Sequence, residues 1–210
     1  MIRYRDDFST LLDGFYLETL ENDPNSIFGL ATDLTLNYLN PGWFNFARDN
    51  DGEPAISARF ILGSYIGDAM AGPARGYYLE IFQGILATGK VWHHDYECSS
   101  PEKYRIYHQS VYPLYKKNGL IIVNSLVKEQ PHDARTRKPR SPVKENYLQE
   151  TGFITQCSNC RRVQRASRQD VWDWVPAWIK KMPENTSHTF CPICYEYYYE
   201  FKFPSSRSPI

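Results

Sequence analysis

The stretch Ile27-Phe-Gly-Leu-Ala-Thr-Asp-Leu-Thr-Leu-Asn-Tyr-Leu-Asn-Pro41 decides how the first half of the chain is expected to fold. It holds two short apolar runs, the second of them Leu36–Leu39, and Thr32-Asp33 supplies turn chemistry between them. Asn40 is a favoured helix N-cap, and Pro41 fits the first helical position. The stretch therefore predicts a β-hairpin that leads directly into a helix.

An amphipathic helix is predicted at the start of the chain, within residues 1–24. Apolar residues recur near one side of a helix between Arg5 and Glu21, and Asp23-Pro24 ends the pattern. Such an apolar side is expected to pack on a core, and a surface for a homodimer is the alternative.

The following residues, up to about 130, change from helical to strand periodicity. A short helical patch near Ser57 to Leu62 precedes a longer helix from Pro73 to Gly89. Alternation of apolar and polar residues then predicts three strands, and Asn118-Gly119 is a strong turn signal before the last one. The predicted strands are Val91–Cys98, Tyr104–Tyr112 and Leu120–Val127.

Two cysteine pairs, Cys157-Ser-Asn-Cys160 and Cys191-Pro-Ile-Cys194, are the most specific chemical signal in the sequence. Two C-x-x-C turns that face each other offer the four sulfur ligands that Zn²⁺ accepts in a tetrahedral site. We therefore predict a structural zinc ion bound by Cys157, Cys160, Cys191 and Cys194. Two structural disulfides, or one redox-active pair beside an inert pair, are the alternatives. A tryptophan-rich helix from Asp170 to Lys181 is expected between the pairs.

Composition indicates a protein of a reducing compartment. The 24 basic and 24 acidic residues cancel, so the overall charge does not favour nucleic acid. Cys98 has no partner by count, which is unusual for a secreted disulfide protein. The start of the chain is charged, and no run approaches the ~18 apolar residues of a membrane span. A cytoplasmic protein that does not bind membranes is expected.

The sequence resembles a known family in two places. Residues 25–130 resemble a PAS domain, both in Phe28-Gly-Leu-Ala-Thr-Asp-Leu-Thr-Leu-Asn-Tyr-Leu-Asn-Pro-Gly-Trp43 and in the order of a hairpin, short helices and three strands. Cys157-Ser-Asn-Cys-Arg-Arg-Val163 and Ser187-His-Thr-Phe-Cys-Pro-Ile-Cys194 resemble the zinc-binding tail of a group of bacterial PAS-containing signalling proteins. Thr189 departs from this pattern, which usually has a small residue there.

The resemblance implies an α+β fold, with a PAS-type five-stranded antiparallel sheet, flanking helices and a small four-cysteine zinc module. It divides the chain into the N-terminal amphipathic helix at 1–24, a PAS-like sensory domain at 25–130, a basic linker at 131–152 and a zinc-binding module at 153–210. The linker is expected to be a solvated spacer, because it lacks apolar periodicity.

A role in signalling is the function that this resemblance implies. The PAS domain would detect a small ligand or a redox state, the ligand being unknown, and would signal to a partner protein through the zinc module. Such a protein could also form a homodimer through the N-terminal helix or the PAS sheet. The common zinc-protease, hydrolase and nucleotide-phosphate motifs are missing from the sequence, so no enzyme activity is predicted. A transcription regulator that contacts nucleic acid through the basic linker and zinc module, or a dithiol oxidoreductase, is the alternative.

The histidines are weaker candidates for metal ligands than the cysteines. His93 and His94 are adjacent on a predicted strand, so their side chains should point to opposite faces. His188 lies close before Cys191 and could replace a cysteine as ligand. A position beside the ligands, through packing or a hydrogen bond, is the expectation for His188.

Overall fold

Five antiparallel strands form the main sheet of the computed structural model, which describes residues 2–200. The strands are β1 (Ser26–Leu30), β2 (Leu36–Leu39), β3 (Trp92–Glu97), β4 (Lys103–Pro113) and β5 (Leu120–Pro131). Their order across the sheet is β2-β1-β5-β4-β3, which confirms the predicted PAS-type sheet. Met1 and residues 201–210, which were assigned above to the N-terminal helix and the zinc module, lie outside the described residues.

Short helices surround one long helix in the first part of the chain. They are α1 (Phe8–Leu11), α2 (Leu17–Asn22), α3 (Pro41–Asp49), α4 (Ala55–Arg59) and α5 (Pro73–Thr88), with 3-10 turns at Ile66–Ala69 and Tyr115–Lys117. Helix α5 ends where predicted, because Gly89 adopts a left-handed conformation at φ 76° and its N–H donates to the carbonyl of Ile85. None of the helices in the described part of the chain is long and apolar enough to cross a membrane.

The side chains of β1 alternate between the two faces of the sheet, and each face has its own apolar core. Phe28 and Leu30 belong to the core that also buries Phe82 and Ile85 of α5. Ile27 belongs to the other core, together with Tyr38 and Ile121 from the neighbouring strands. The sheet is therefore covered by helices on both faces, and α5 covers the face that carries Phe28 and Leu30.

Asn40 joins the hairpin to helix α3 through its side chain, which is fully buried. Its Oδ1 accepts hydrogen bonds from the backbone N–H groups of Ile27 and Trp43, each at 2.9 Å. Its Nδ2 donates to three backbone carbonyls at 2.9–3.2 Å, those of Leu20, Asp23 and Asn25. One side chain thus caps the helix and fixes the segment that precedes β1.

Replacing Asn40 with alanine is expected to lower the free energy of unfolding by about 2 kcal/mol, because a helix cap is lost and buried backbone groups lose their partner. Chemical denaturation followed by circular dichroism would measure this change. Asn45→Ala is the matched control, since Asn45 lies exposed on the same helix and its side chain bonds only to Arg48 among the described contacts. Equal stability of the two variants would contradict the assigned role of Asn40.

The N-terminal segment differs from the single amphipathic helix that was predicted. It forms α1 and α2, because the chain turns between them at Gly14, where φ is +76°. The apolar residues of the segment nevertheless pack on the sheet. The ring of Phe8 stacks on that of Tyr38 at 4.5 Å between centroids, and Leu20 is buried in the same core. This apolar side is therefore used within the chain.

Two compact units can be distinguished along the chain. Among the described residues, the first unit comprises 2–94 and 107–127, and the second comprises 95–106 and 128–200. Strands β3, β4 and β5 each contribute residues to both units. The division therefore falls within strands of the sheet.

The second unit contains a smaller sheet of four short strands. They are β6 (Ile154–Cys157), β7 (Val163–Gln164), β8 (Trp172–Asp173) and β9 (Thr186–Thr189), in the order β8-β7-β6-β9. Strands β6 and β9 are parallel, whereas β7 pairs antiparallel with β6 and with β8. Short helical segments complete the unit: α6 (Ala177–Lys180), α7 (Pro192–Cys194), a 3-10 turn at Lys144–Asn146 and a π-helical turn at Tyr195–Tyr199.

The tryptophan-rich helix predicted for Asp170 to Lys181 is wrong over its first half. The structure has β8 there, and only α6 is helical. Pro176 disfavours helical geometry at Val175, so a helix can begin only after this point. The buried Asp173 also accepts hydrogen bonds from Tyr147 at 3.2 Å and Arg165 at 2.9 Å, which hold β8 in the sheet.

The basic segment 131–152 is packed into the second unit, whereas a solvated spacer was expected. Arg137 is buried, and the backbone N–H of Arg140 donates to the carbonyl of Trp174 at 2.8 Å. Tyr147 is also buried, in a core with Ile154 and Trp178. The segment escapes detection by periodicity because it is held by individual polar and aromatic contacts.

Candidate metal centre

Four cysteine side chains meet in one buried cluster, which we call the cysteine cluster: Cys157, Cys160, Cys191 and Cys194. Their sulfur atoms all lie within 4.8 Å of one another, and the sulfurs of Cys160 and Cys191 are 3.7 Å apart. Ligand sulfurs at 2.3 Å around a tetrahedral zinc ion are separated by about 3.8 Å. A disulfide bond would require roughly 2.05 Å, and none of the five cysteines forms one. The donor set and spacing therefore fit a tetrahedral metal ion.

The first cysteine pair lies on a tight turn after β6. The backbone N–H of Cys157 donates to the carbonyl of Arg162 at 2.8 Å, and the N–H of Arg161 donates to the carbonyl of Cys157 at 3.2 Å. Arg161 adopts a left-handed conformation, with φ at 62°, which lets the chain reverse directly after Cys160. The sulfurs of both cysteines of this turn belong to the cysteine cluster.

The second cysteine pair begins a helical turn that faces the first pair. Cys191 is the N-cap of α7, with Pro192 at the first helical position, and Cys194 lies at its end. The backbone N–H of Cys191 donates to the sulfur of Cys157 at 3.3 Å. Such N–H to sulfur bonds stabilise a thiolate, so the backbone is arranged for negative charge at the cluster.

Parallel pairing of β6 with β9 brings the two cysteine turns together. Cys157 lies opposite Thr189, and the carbonyl of Thr189 accepts a hydrogen bond from the backbone N–H of Ser158 at 2.7 Å. Thr189 contributes its backbone to this contact, so the contact does not depend on the side chain at this position.

Asn159, inside the first cysteine turn, connects the cluster to strand β3. Its Nδ2 donates to the sulfur of Cys194 at 3.3 Å, and its Oδ1 accepts from the backbone N–H of Glu97 at 3.0 Å. The Asn159 side chain is buried and also accepts a bond from the Tyr199 hydroxyl at 3.4 Å. The sequence did not identify this residue, because only the fold shows that Glu97 is its partner.

Electrostatics in the cysteine cluster favour a bound cation. Hydrogen bonds from the neighbouring thiols lower the pKa of Cys157, whereas the bond with Cys157 raises the pKa values of Cys160 and Cys194. Without a cation, some sulfurs of the cluster therefore keep their protons. A divalent ion displaces such protons and lets all four sulfurs bind as thiolates.

A buried ion pair lies in the same unit as the cysteine cluster. Arg137 donates from Nη2 to Oε2 of Glu97 at 2.5 Å, and its guanidinium lies 5.2 Å from the ring of Tyr104 and 4.9 Å from that of Trp174. Burial raises the pKa of Glu97, and the positive charge of Arg137 opposes this shift. Ser99 donates to the other carboxylate oxygen at 2.5 Å. The amino-acid sequence alone does not reveal this pair, since a charged residue in a basic run gives no signal of burial.

The histidines considered as metal ligands, and Cys98, are not part of the cysteine cluster. His188 is on β9 and is not a member of the group of potential ligands among the described residues; burial lowers its pKa and favours the neutral ring. His94 is buried and His93 is exposed, as expected for opposite faces of β3. The imidazole of His93 instead bonds to Ser110 at 2.9 Å. Cys98 is half-buried and is not part of the cluster.

Comparison with known proteins gives similarity of fold at low sequence identity. No protein-family model matches the sequence, and no curated protein matches it either. A domain of an HTR-like protein from Haloarcula marismortui is 19% identical with a TM-score of 0.37, over 50% of this chain and 100% of that one. The PAS domain of Bordetella pertussis BvgS is 15% identical with a TM-score of 0.40, over 54% of this chain and 84% of that one.

A third similar structure is the Cronobacter turicensis RpfR quorum-sensing receptor PAS domain in complex with C12:0. It is 10% identical with a TM-score of 0.38, over 51% of this chain and 97% of that one. Scores of this size say nothing about function. The strand order, the helices on the sheet and the four-cysteine cluster make this an α+β chain with a PAS-type sheet and a candidate metal centre.

Proposed function

We propose that this protein is a sensor that signals without catalysis of its own. In this proposal, the PAS-type sheet detects a small ligand or a redox state, and the second unit passes the change to a partner protein. The observation that carries the proposal is the pair of hydrogen bonds of Asn159, which link the backbone of β3 at Glu97 to the sulfur of Cys194. A displacement of β3 therefore reaches the cysteine cluster through one side chain.

A zinc ion in the cysteine cluster would hold the sulfur of Cys194 in place, and with it the hydrogen bond from Asn159. Four thiolates form a closed site with no open position for a substrate, as in structural zinc sites. Cys157, Cys160, Cys191 and Cys194 would hold the ion, which supplies folding energy to the second unit. A reducing compartment such as the cytoplasm would keep the cysteines available as thiolates.

A ligand can act in such a protein only by favouring one arrangement of the sheet over another. Strand β3 lies at the edge of the sheet, and its residues up to His94 belong to the first unit. His94 is buried there among aromatic rings, those of Tyr77, Tyr78 and Trp92, at 5.2–6.0 Å between ring centroids. Changes in packing around His94 would shift β3 as far as Glu97. This shift would change the hydrogen bond between the Glu97 N–H and Asn159.

Hydrogen exchange at the Glu97 amide tests this connection. Removing the metal with a chelator is expected to speed exchange of this amide by roughly tenfold or more, because a buried hydrogen bond worth about 1–1.5 kcal/mol is weakened. In Asn159→Ala the exchange should already be fast with metal bound. Asn185→Ala is the matched control, since its amide donates to the carbonyl of Gly152 in the same unit. If neither the chelator nor Asn159→Ala changes the exchange rate of the Glu97 amide, the proposed connection is ruled out.

A further inference from the structure

Two histidine side chains meet at the surface of the first unit, and we call them the histidine pair. His93 lies on β3, the strand at the edge of the main sheet, and His108 lies on the neighbouring strand β4. Nδ1 of His93 and Nε2 of His108 are 3.3 Å apart, in an exposed contact. The two rings are nearly parallel, with 5.3 Å between their centroids. Both residues belong to the first unit, and neither is a member of the cysteine cluster.

The separation of the two nitrogens is that of two ligands on one metal ion. Imidazole nitrogens bind zinc at about 2.0–2.1 Å, so two of them in a tetrahedral site lie about 3.3–3.4 Å apart. The histidine pair has this spacing, at 3.3 Å. The same contact is longer than the roughly 2.7–3.2 Å that is usual for a hydrogen bond from an N–H donor. An ion can therefore bind between the rings without moving them apart.

The protonation of the two rings also suits a shared cation. A neutral imidazole carries one proton, on either nitrogen, and the other nitrogen has a lone pair. Two facing lone pairs repel each other, so a proton must lie between His93 and His108 when no ion is bound. A metal ion takes the place of this proton and bonds to both lone pairs. The ring protons then lie on Nε2 of His93 and Nδ1 of His108.

The neighbours of His93 hold its ring in place although the residue is exposed. The hydroxyl oxygen of Ser110, a buried residue, lies 2.9 Å from Nδ1 of His93. The ring of Tyr112 meets that of His93 edge-on at 6.1 Å between centroids. Tyr112 is itself fixed, because it packs edge-on against Phe15 at 5.4 Å. Two ligands at right angles on a metal ion lie about 2.9–3.0 Å apart. The Ser110 oxygen is therefore placed for a third ligand position.

The chemistry of these donors selects the class of ion. Imidazole suits Zn²⁺, Cu²⁺, Fe²⁺ and Ni²⁺, whereas Mg²⁺ and Ca²⁺ take oxygen ligands. Among residues 2–200, no thiol or carboxylate extends the histidine pair to a larger group of potential ligands. The ion would therefore keep water on its remaining positions. Such a site exchanges its metal, in contrast to a closed site of four thiolates.

We propose that His93 and His108 together chelate a divalent first-row transition ion, with the Ser110 hydroxyl and water completing its coordination. The ion would tie the edge strand β3 to β4 through side chains. The inference goes beyond the sensory role proposed above and does not depend on it. Binding at the histidine pair can succeed or fail whether or not the cysteine cluster holds zinc.

Ni²⁺ is the probe for this site, because it is paramagnetic and broadens the NMR signals of nearby amides. The full chain is first loaded with zinc at the cysteine cluster and is then titrated with Ni²⁺. Broadening should concentrate at residues 92–94 and 107–110 and should saturate below about 1 mM free Ni²⁺, which corresponds to about 4 kcal/mol of binding energy. Signals of residues 157–160 and 191–194 should remain, because zinc is retained there. Mg²⁺ at the same concentrations should leave the spectrum unchanged.

Three variants test whether both nitrogens bind one ion. His93→Ala and His108→Phe each remove a ligand and should each weaken Ni²⁺ binding at least about tenfold, since loss of a partner outside the ligand shell already costs 10–100-fold. The double variant should lose little more than either single variant, because a chelate needs both nitrogens. His132→Gln is the matched control. It removes a histidine of the second unit and should bind Ni²⁺ like the wild type.

Four results would overturn the proposal. They are the absence of saturable broadening around the histidine pair; equal effects of Mg²⁺ and Ni²⁺; wild-type Ni²⁺ affinity in folded His93→Ala; and additive losses in the double variant, which would indicate two separate single-histidine sites. Should His108→Phe fail to fold, His93→Ala still decides the question together with the comparison of ions, because His93 is exposed and its removal leaves the core intact.

Discussion

Replacing Cys191 with serine is expected to release the metal and unfold the part of the second unit around the cysteine cluster. Structural zinc contributes about 10–16 kcal/mol of apparent binding energy in zinc-finger peptides at pH 7. Whole domains are stable by only about 5–15 kcal/mol. The short strands of this unit therefore cannot remain folded once a ligand is lost. Amide NMR spectra should show residues 153–200 as unfolded, whereas signals of residues 26–94 and 107–124 should persist.

Cys98→Ser is the matched control for this prediction, because Cys98 lies in the same unit but outside the cysteine cluster. It should retain both the metal and the wild-type spectrum. A Cys191→Ser protein in which the four-stranded sheet stays folded would show that the fold of this unit does not depend on the four sulfurs.

Removing the buried carboxylate of Glu97 should have the second-largest effect on stability. In Glu97→Ala the buried guanidinium of Arg137 loses its partner at 2.5 Å and keeps only the nearby rings of Tyr104 and Trp174. Loss of one partner from a buried ion pair costs about 3–5 kcal/mol, since the remaining charge is left uncompensated. Denaturation monitored by tryptophan fluorescence should measure the loss, because Trp172, Trp174 and Trp178 all lie in this unit.

Glu129→Ala provides the comparison for Glu97. Glu129 pairs with Lys103 and Arg105 at the surface of the same unit, and such solvated pairs contribute little. Replacing Glu129 with alanine should leave the midpoint of the denaturation transition almost unchanged. A Glu97→Ala protein as stable as Glu129→Ala would mean that Arg137 finds water or another partner, and that segment 131–152 is held by other contacts.

The first unit could be predicted from sequence because its signals are local. Alternation in Ile27-Phe-Gly-Leu30 and in the later strands defines the faces of the sheet, and Asn40-Pro41 marks the start of α3. Helix α5 has Pro73 at its first position and Gly89 after its last. Each of these residues acts through its own conformation or its nearest neighbours. Such effects are visible without knowledge of the fold.

The structure of the second unit was predicted less well, because contacts between residues far apart in the sequence determine it. Arg137 is buried only because Glu97, forty positions earlier, neutralises it. The residues from Asp170 to Val175 have helical apolar spacing, yet Asp173 is held in a strand by Tyr147 and Arg165. Apolar spacing indicates which side chains are buried. It does not show that polar partners elsewhere in the chain select an extended backbone.

The cysteine cluster was anticipated as a group, and its surroundings were not. The spacing of the two pairs is enough to predict four sulfurs in one place. Asn159 gives no such signal, because asparagine is common in turns of any kind. Its importance follows from two partners that only the fold supplies, the N–H of Glu97 and the sulfur of Cys194.

Elemental analysis of the wild-type protein, purified under reducing conditions without chelators, would show whether the cysteine cluster holds a metal. We expect one zinc ion per chain, bound by Cys157, Cys160, Cys191 and Cys194, and none in Cys191→Ser, whether that variant is folded or unfolded. A wild-type protein that contains no metal while its second unit is folded would rule out a structural zinc site. A cysteine pair that then cycles between thiol and disulfide would favour the dithiol oxidoreductase instead.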